Sequence, residues 1–362
     1  MVFQKRLKNL KKIFTEKKLN ALLVTNVSNI TYLTGYANFS KDEREAYLLI
    51  TKNKQYVITD GRYAEAVLIH IPRFELIERT IKNSLKNIFK NLAKKHKIKK
   101  IGIEENNVTV NEHAFLKKYF ESLKNFSLSN LRSIKEHGEI DAIEKACQLG
   151  DKAFEYILKK IKKGVTEKEI AFEIELFIKK LGAELSFPSI VAFGKNSSVP
   201  HHQTSDQRLT TNDQIVLLDF GVKLNNYCSD MTRTVFFGKP TSEQRKIYQT
   251  VLTAQQKAIE HLGRWRSNDF GSSEVLLKAK DIDKTAHDYI IAKDYPTIPH
   301  NLGHGTGLEI HEAPRLSPKS KDILKPGMVF SIEPGIYIPG FGGVRIEDLV
   351  VLAPTGPRLL PK

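Results

Sequence analysis

Cysteine is scarce in this chain, with two residues, Cys147 and Cys228, in 362. Two thiols build no disulfide framework, so a reduced, cytoplasmic setting is expected. Long apolar runs are missing too: none approaches the roughly 18 residues of a membrane span. The opening MVFQKRLKNLKKIF lacks the apolar centre and the small-residue cleavage site of a signal peptide. Acidic residues are in deficit, 41 against 57 basic ones, which gives a net charge of +16. Such a balance can serve nucleic acid or an anionic surface. The densest basic run, KNLAKKHKIKK at 90–100, has no interleaved aromatics and no nucleic-acid motif. Lysines spread over solvated helix faces account for the charge, so neither a nucleic-acid nor a membrane partner is expected. No internal repeat of short period is present.

What is there is ordinary globular material, 41% hydrophobic and 27% charged. The length favours two domains. In residues 1–127, Phe3, Leu7, Leu10 and Phe14 mark an amphipathic helix. Strand-like ALLV (21–24), AYLLI (46–50), YVIT (56–59) and IGIE (101–104) follow, which indicates a small α/β domain. A polar connection then leads into a second domain, 128–362. There Thr166 and Glu169 have capping-box spacing, and Ile170, Ile174, Phe177, Ile178 and Leu181 share a helix face. Thr241 and Gln244 repeat the device behind Pro240. Helices combined with antiparallel strand pairs predict an α+β domain.

The strand pairs carry acids where strands seldom hold them. With a two-residue turn at Asn225-Asn226, Leu224 faces Tyr227 and Gly221 faces Asp230. Side chains alternate, so Asp219 shares the face of Asp230, about 7–8 Å away across the diagonal. A three-residue turn at Pro339–Phe341 likewise sets Glu333 opposite Glu347, with Arg345 on the same face. A single strand acid is usually solvated and balanced by a lysine. Four acids paired by register argue for something positive between them. Cys228 has the parity of Asp230, though a small buried residue is the plainer explanation.

The stretch IPHNLGHGTGLEIHEAP (298–314) holds His300, His304 and His311. On a helix they would share a face, but Gly303, Gly305 and Gly307 argue against a helix. The glycines are expected to let backbone pass close to a metal and a peptide. Hard oxygen donors with one or two imidazoles suit Mn, Mg, Co or Zn ions. Two ions sharing carboxylates would form a binuclear hydrolytic site.

In this order, LLDFG, CSDMTRT, GHGTG, SIEPG and VRIED resemble the pita-bread (M24) metallopeptidases, of the Xaa-Pro aminopeptidase and Xaa-Pro dipeptidase (prolidase) type. SNITYLTGY (28–36) and TDGRY (59–63) extend the likeness toward the N-terminus. It implies a pita-bread catalytic domain behind a smaller α/β creatinase-like domain. It implies two divalent ions, Mn2+ first and Co2+ or Zn2+ as alternatives, held by Asp219, Asp230, His304, Glu333 and Glu347. Glu333 becomes the general base acting on a metal-bridging hydroxide. His201, in SVPHHQ, and His311 become catalytic hydrogen-bond donors beside the substrate, and His300 and Arg345 further groups near it. His201 is preferred to its neighbour His202 because it directly follows the proline. The implied substrates are proline-containing peptides and the implied assembly a homodimer. Removal of residue one from longer peptides is the leading activity, with a prolidase as the alternative. A non-catalytic binding module on the same fold is the reading from another class. Thr306 and Asn301 depart from the pattern, and the stretch 262–283 is unlike the short turn expected there.

Overall fold

The computed structural model describes residues 2–210, 215–263 and 276–361. They form two compact units, Met1–Leu131 and Arg132–Lys362. Much of the 262–283 stretch, residues 264–275, lies outside the described residues.

In the first unit the helix Val2–Glu16 buries Leu7, Leu10 and Phe14 and leaves Lys5, Lys8 and Lys12 exposed. A six-stranded mixed sheet follows. Its order is Glu75–Arg79, Gln55–Asp60, Tyr47–Thr51, Ala21–Val24, Lys100–Ile103 and Ser122–Asn125. The central strands Ala21–Val24 and Tyr47–Thr51 are buried throughout, which is why they read as unbroken apolar runs. The two edge strands, ELIER and SLKN, escape that reading because their side chains are half in water and partly charged.

The second unit is built around strand groups backed by helix pairs. His137–Leu158 and Glu167–Lys180 cover the first group, where Ile170, Ile174 and Ile178 pack with Val216, Leu218 and Phe220. Leu181 falls beyond the helix end and is exposed. Ser242–Gly263 and Ala279–Ile291 cover the second group, where Ile247, Val251 and Ile282 join Phe330, Ile332 and Val350. Both caps form: Thr166 exchanges bonds with Glu169, and Thr241 with Gln244. Among the described residues no helix is long and apolar enough to cross a membrane.

Turn chemistry fixes the register of the first acid hairpin. Asn225 and Asn226 have φ of 49° and 71°, the left-handed pair that a tight two-residue turn requires. Leu224 pairs with Tyr227, and the same register reappears at Asp219 and Thr232, which leaves Asp230 opposite Gly221. In the second hairpin Ile338 pairs with Gly342, and the register is unchanged at Ile332 and Asp348. Glu333 is thus level with Glu347, but the ladder opens there. Glu333 N–H donates to Leu302 O at 2.9 Å, and Glu347 N–H to Thr232 O at 3.1 Å. The opening draws the histidine stretch and both acid hairpins together.

The stretch 298–314 is not helical; it contains the short strand Gly303–Gly305. Gly303 and Gly305 answer to neighbouring backbone, whereas a Cβ on Gly307 would meet the Glu312 carboxylate. A Cβ on Gly303 would run into the Ser331 carbonyl, and one on Gly305 into the Ala313 carbonyl. Gly303 and Gly305 thus admit neighbouring strands of the same sheet. Thr306 is fully buried, its hydroxyl satisfied by Ile310 O at 3.1 Å.

Candidate active site

The acid hairpins and the strand Gly303–Gly305 border a cavity of about 720 Å³ in the second unit. His201, Asp219, Asp230, His300, His304, His311, Glu333, Arg345 and Glu347 all line it. Donor atoms of Asp230, His304 and Glu347 lie within 4.8 Å of one another. His304 Nε2 stands 3.4 Å from Asp230 Oδ2 and 3.4 Å from Glu333 Oε1. Its Nδ1 is 3.2 Å from Gly305 O, so the ring proton sits there and Nε2 keeps its lone pair toward the acids.

The charges do not balance. Asp219, Asp230, Glu333 and Glu347 crowd together with one buried guanidinium, Arg345, among them, so without a cation they cannot all be ionised. Arg345 is buried and donates to Asp219 Oδ2 at 2.5 Å. Burial first, then Glu347, Asp219 and Glu333, pushes Asp230 well above the carboxylate range. Burial, then Glu333 and Asp219, does the same to Glu347. Burial lifts Glu333 to about 8 against the pull of Arg345, and also raises Asp219. Burial and the neighbouring His311 press His304 down to about 4, so its imidazole is neutral at pH 7.

A divalent cation fits this donor set. Glu347 Oε2 accepts from Thr232 Oγ1 at 2.8 Å, but its Oε1 is buried without a partner among the described residues. An orphaned carboxylate oxygen is costly in a protein interior unless a cation meets it. Hard oxygens and one neutral imidazole supply suitable ligands.

The remaining histidines separate by their partners. His311 packs edge-on to His304, ring centroids 4.3 Å apart. Among the described residues, neither His201 nor His311 makes a side-chain hydrogen bond, so their ring nitrogens are available in the cavity. Next door, His202 Nε2 donates to Glu167 Oε2 at 2.8 Å, which commits that ring and favours His201 of the pair. Both nitrogens of His300 are engaged. Nδ1 donates to Asn301 O at 2.8 Å, and Nε2 accepts from Tyr337 OH at 2.8 Å. The Tyr337 oxygen in turn accepts from Arg345 at 2.8 Å. His300 therefore braces the Arg345–Asp219 pair.

Tyr337, Thr232 and Ser331 are not among the sequence candidates. Ser331 Oγ donates to Glu333 Oε1 at 3.0 Å and accepts from His304 N–H at 3.0 Å. Ser331 has the strand parity of Glu333, Thr232 that of Asp230 and Tyr337 that of Arg345 across the hairpin, so the alternation that found the acids marks them too. Tyr337→Phe would remove one acceptor from Arg345 Nη1 and leave His300 Nε2 without its donor. A stability loss of about 1–3 kcal/mol is expected in urea unfolding.

Buried acids, a neutral imidazole and an unmet carboxylate oxygen at the junction of two hairpins are the equipment of a divalent-metal hydrolase. Residues 141–354 match the profile of Metallopeptidase family M24, and residues 6–134 that of the Creatinase/Prolidase N-terminal domain. The chain belongs to metallopeptidase family M24, whose members use divalent metal ions. It is similar to the Xaa-Pro dipeptidase of Pyrococcus furiosus, 34% identical over 99% of this chain and 98% of that protein. Among solved structures, an Xaa-Pro dipeptidase from Bacillus anthracis matches with a TM-score of 0.88 at 34% identity, covering 99% of this chain and 98% of that one. An X-Pro aminopeptidase from Thermotoga maritima gives 0.85 at 32%, covering 98% and 97%.

Proposed function

We propose that this metallopeptidase hydrolyses the X–Pro bond at the N-terminus of peptides. Asp219, Asp230, His304, Glu333 and Glu347 would hold two divalent ions, manganese first. The orphaned Glu347 Oε1, inside a cluster of four mutually repelling buried acids, carries the metal reading. The bond assignment rests on relatives named for Xaa-Pro and X-Pro cleavage. Bound ions would supply an acidified water at neutral pH and polarise the scissile carbonyl.

The chain's own groups do the rest. Glu333 takes the proton of the attacking water and returns it to the departing prolyl nitrogen. His201 and His311 donate to the carbonyl oxygen as it gathers charge. Arg345, held by Tyr337 and Thr232, keeps Asp219 in place. The X–Pro amide has no N–H and the ring fixes φ, so a site that seats a trans X–Pro bond gains what general peptidases lose there. A cytoplasmic setting is in keeping with two buried free thiols, and the homodimer rests on the resemblance of the sequence motifs alone.

One observation favours a dipeptidase as the second reading. Arg315 lines the cavity and is exposed, with no ion-pair partner among the described residues. A free guanidinium there suits the C-terminal carboxylate of an X-Pro dipeptide. Assaying Ala-Pro and Ala-Pro-Ala with Mn2+ and with chelator separates the cases. Cleavage of both peptides supports the aminopeptidase; Ala-Pro alone supports the dipeptidase. Metal-loaded protein inert toward both would sink the proposal.

A further inference from the structure

We propose that Glu167 is a positioning residue for the reaction, its buried carboxylate fixing the segment that presents His201 to the cavity. This rests on the reading of His201 as a group that touches the substrate. Glu167 opens the helix Glu167–Lys180, yet it is not the residue that caps it. Thr166 and Glu169 do that between them. An acid in a first helical turn ordinarily stays in water near the positive helix end; Glu167 is 0% exposed.

Its two oxygens collect five donors. Oε1 accepts from Phe193 N and Asn196 Nδ2, each at 2.8 Å. Oε2 accepts from His202 Nε2 at 2.8 Å, Ser205 N at 2.9 Å and Ser205 Oγ at 2.6 Å. Burial opposes the charge, but the bonds from Ser205, Asn196, His202 and Phe193 outweigh it and hold the carboxyl below its usual range. All five donors lie on residues 193–205. One group sits where the strand Ile190–Phe193 enters the turn Gly194–Ser198; the other lies just past His201. Pro200 and His201 span the interval between the two anchors and line the cavity. Pro200 O also accepts from Arg345 at 3.3 Å, which ties the span to the acid cluster. Glu167 itself is not in the cavity wall, so its influence passes through that span.

The chemistry demands a carboxylate. Glutamine has the same shape but one acceptor oxygen, so its NH2 would face the donors of one anchor and release that end. A shift of about 1 Å at a group beside the substrate costs roughly a hundredfold in rate.

The test is a cycle on Ala-Pro hydrolysis with wild type, Glu167→Gln, His201→Ala and the double variant. Bound Mn2+ and melting temperature are measured alongside. Glu167→Gln is expected to lower kcat/KM by about ten- to a hundredfold with metal content unchanged. The double variant is expected to be no slower than His201→Ala alone, because the loss is already incurred. Multiplying losses would overturn the inference, as would a Glu167→Gln enzyme that melts lower but keeps wild-type kcat/KM. A fully active His201→Ala removes the reading of His201, and the inference with it. Should Glu167→Gln not fold, Ser205→Ala, which deletes one donor, replaces it in the same cycle. Non-additive losses then support the inference, and multiplying losses or wild-type kcat/KM overturn it.

Discussion

Glutamine in place of Glu333 is expected to cut kcat for X–Pro cleavage by about 10²- to 10⁴-fold, the range for loss of a positioned general base. The other acids are less suited to the task. Asp219 is locked to Arg345, and Asp230 and Glu347 lie around His304 with donor atoms within 4.8 Å of one another, where a cation would hold them. Glu333 lines the cavity and takes one bond from Ser331, and bound cations would return its carboxyl, raised to about 8 by burial without them, to the ionised form a base needs. The substitution keeps the shape, and Ser331 Oγ can still donate to the amide oxygen. KM for Ala-Pro is therefore expected to move little. Stopped assays with Mn2+ in excess and bound metal quantified decide it: near-normal kcat with metal retained would take Glu333 out of the role.

How much of the site is legible in the sequence depends on whether the information is local. Strand parity and turn length are local, and they set Asp219 beside Asp230 and Glu333 level with Glu347, as the ladders show. The glycines of 298–314 mislead because a glycine says that something comes close without saying what. For Gly303 and Gly305 it is the backbone at Ser331 and Ala313. His300 looks like its neighbours in sequence, and only the positions of Tyr337 and Asn301 show both its nitrogens occupied. Glu167 carries no sequence signal at all. An acid at the start of a helix is commonplace, and the donors that bury it lie 26 to 38 residues away.

Removing the metal is expected to make stability depend on pH with a definite sign. In the metal-free protein Glu333 has its carboxyl raised from 4.5 to about 8. A group raised on folding contributes stability that is complete below its unfolded value and lost as pH climbs through the folded one. The histidines pull the other way. His300 and His304 are pressed from 6.5 to about 4, so their contribution grows as pH rises toward 6.5 and is then complete. Between pH 4.5 and 6.5 the two trends oppose. From 6.5 to 8 the imidazoles are silent and the acid dominates. Glu333 alone should cost roughly 2 kcal/mol over that window. Each 1 kcal/mol is worth roughly 2–4 °C of Tm for a unit of this size. Asp230 and Glu347, raised further still, add in the same direction. Bound cations reverse the preference, because they favour the ionised carboxylates. Calorimetric scans from pH 6.5 to 8 should therefore show Tm falling in EDTA and level or rising in Mn2+, the curves diverging with pH. Parallel curves would mean that the acids are not what the metal neutralises, and the two-ion reading would fall with them.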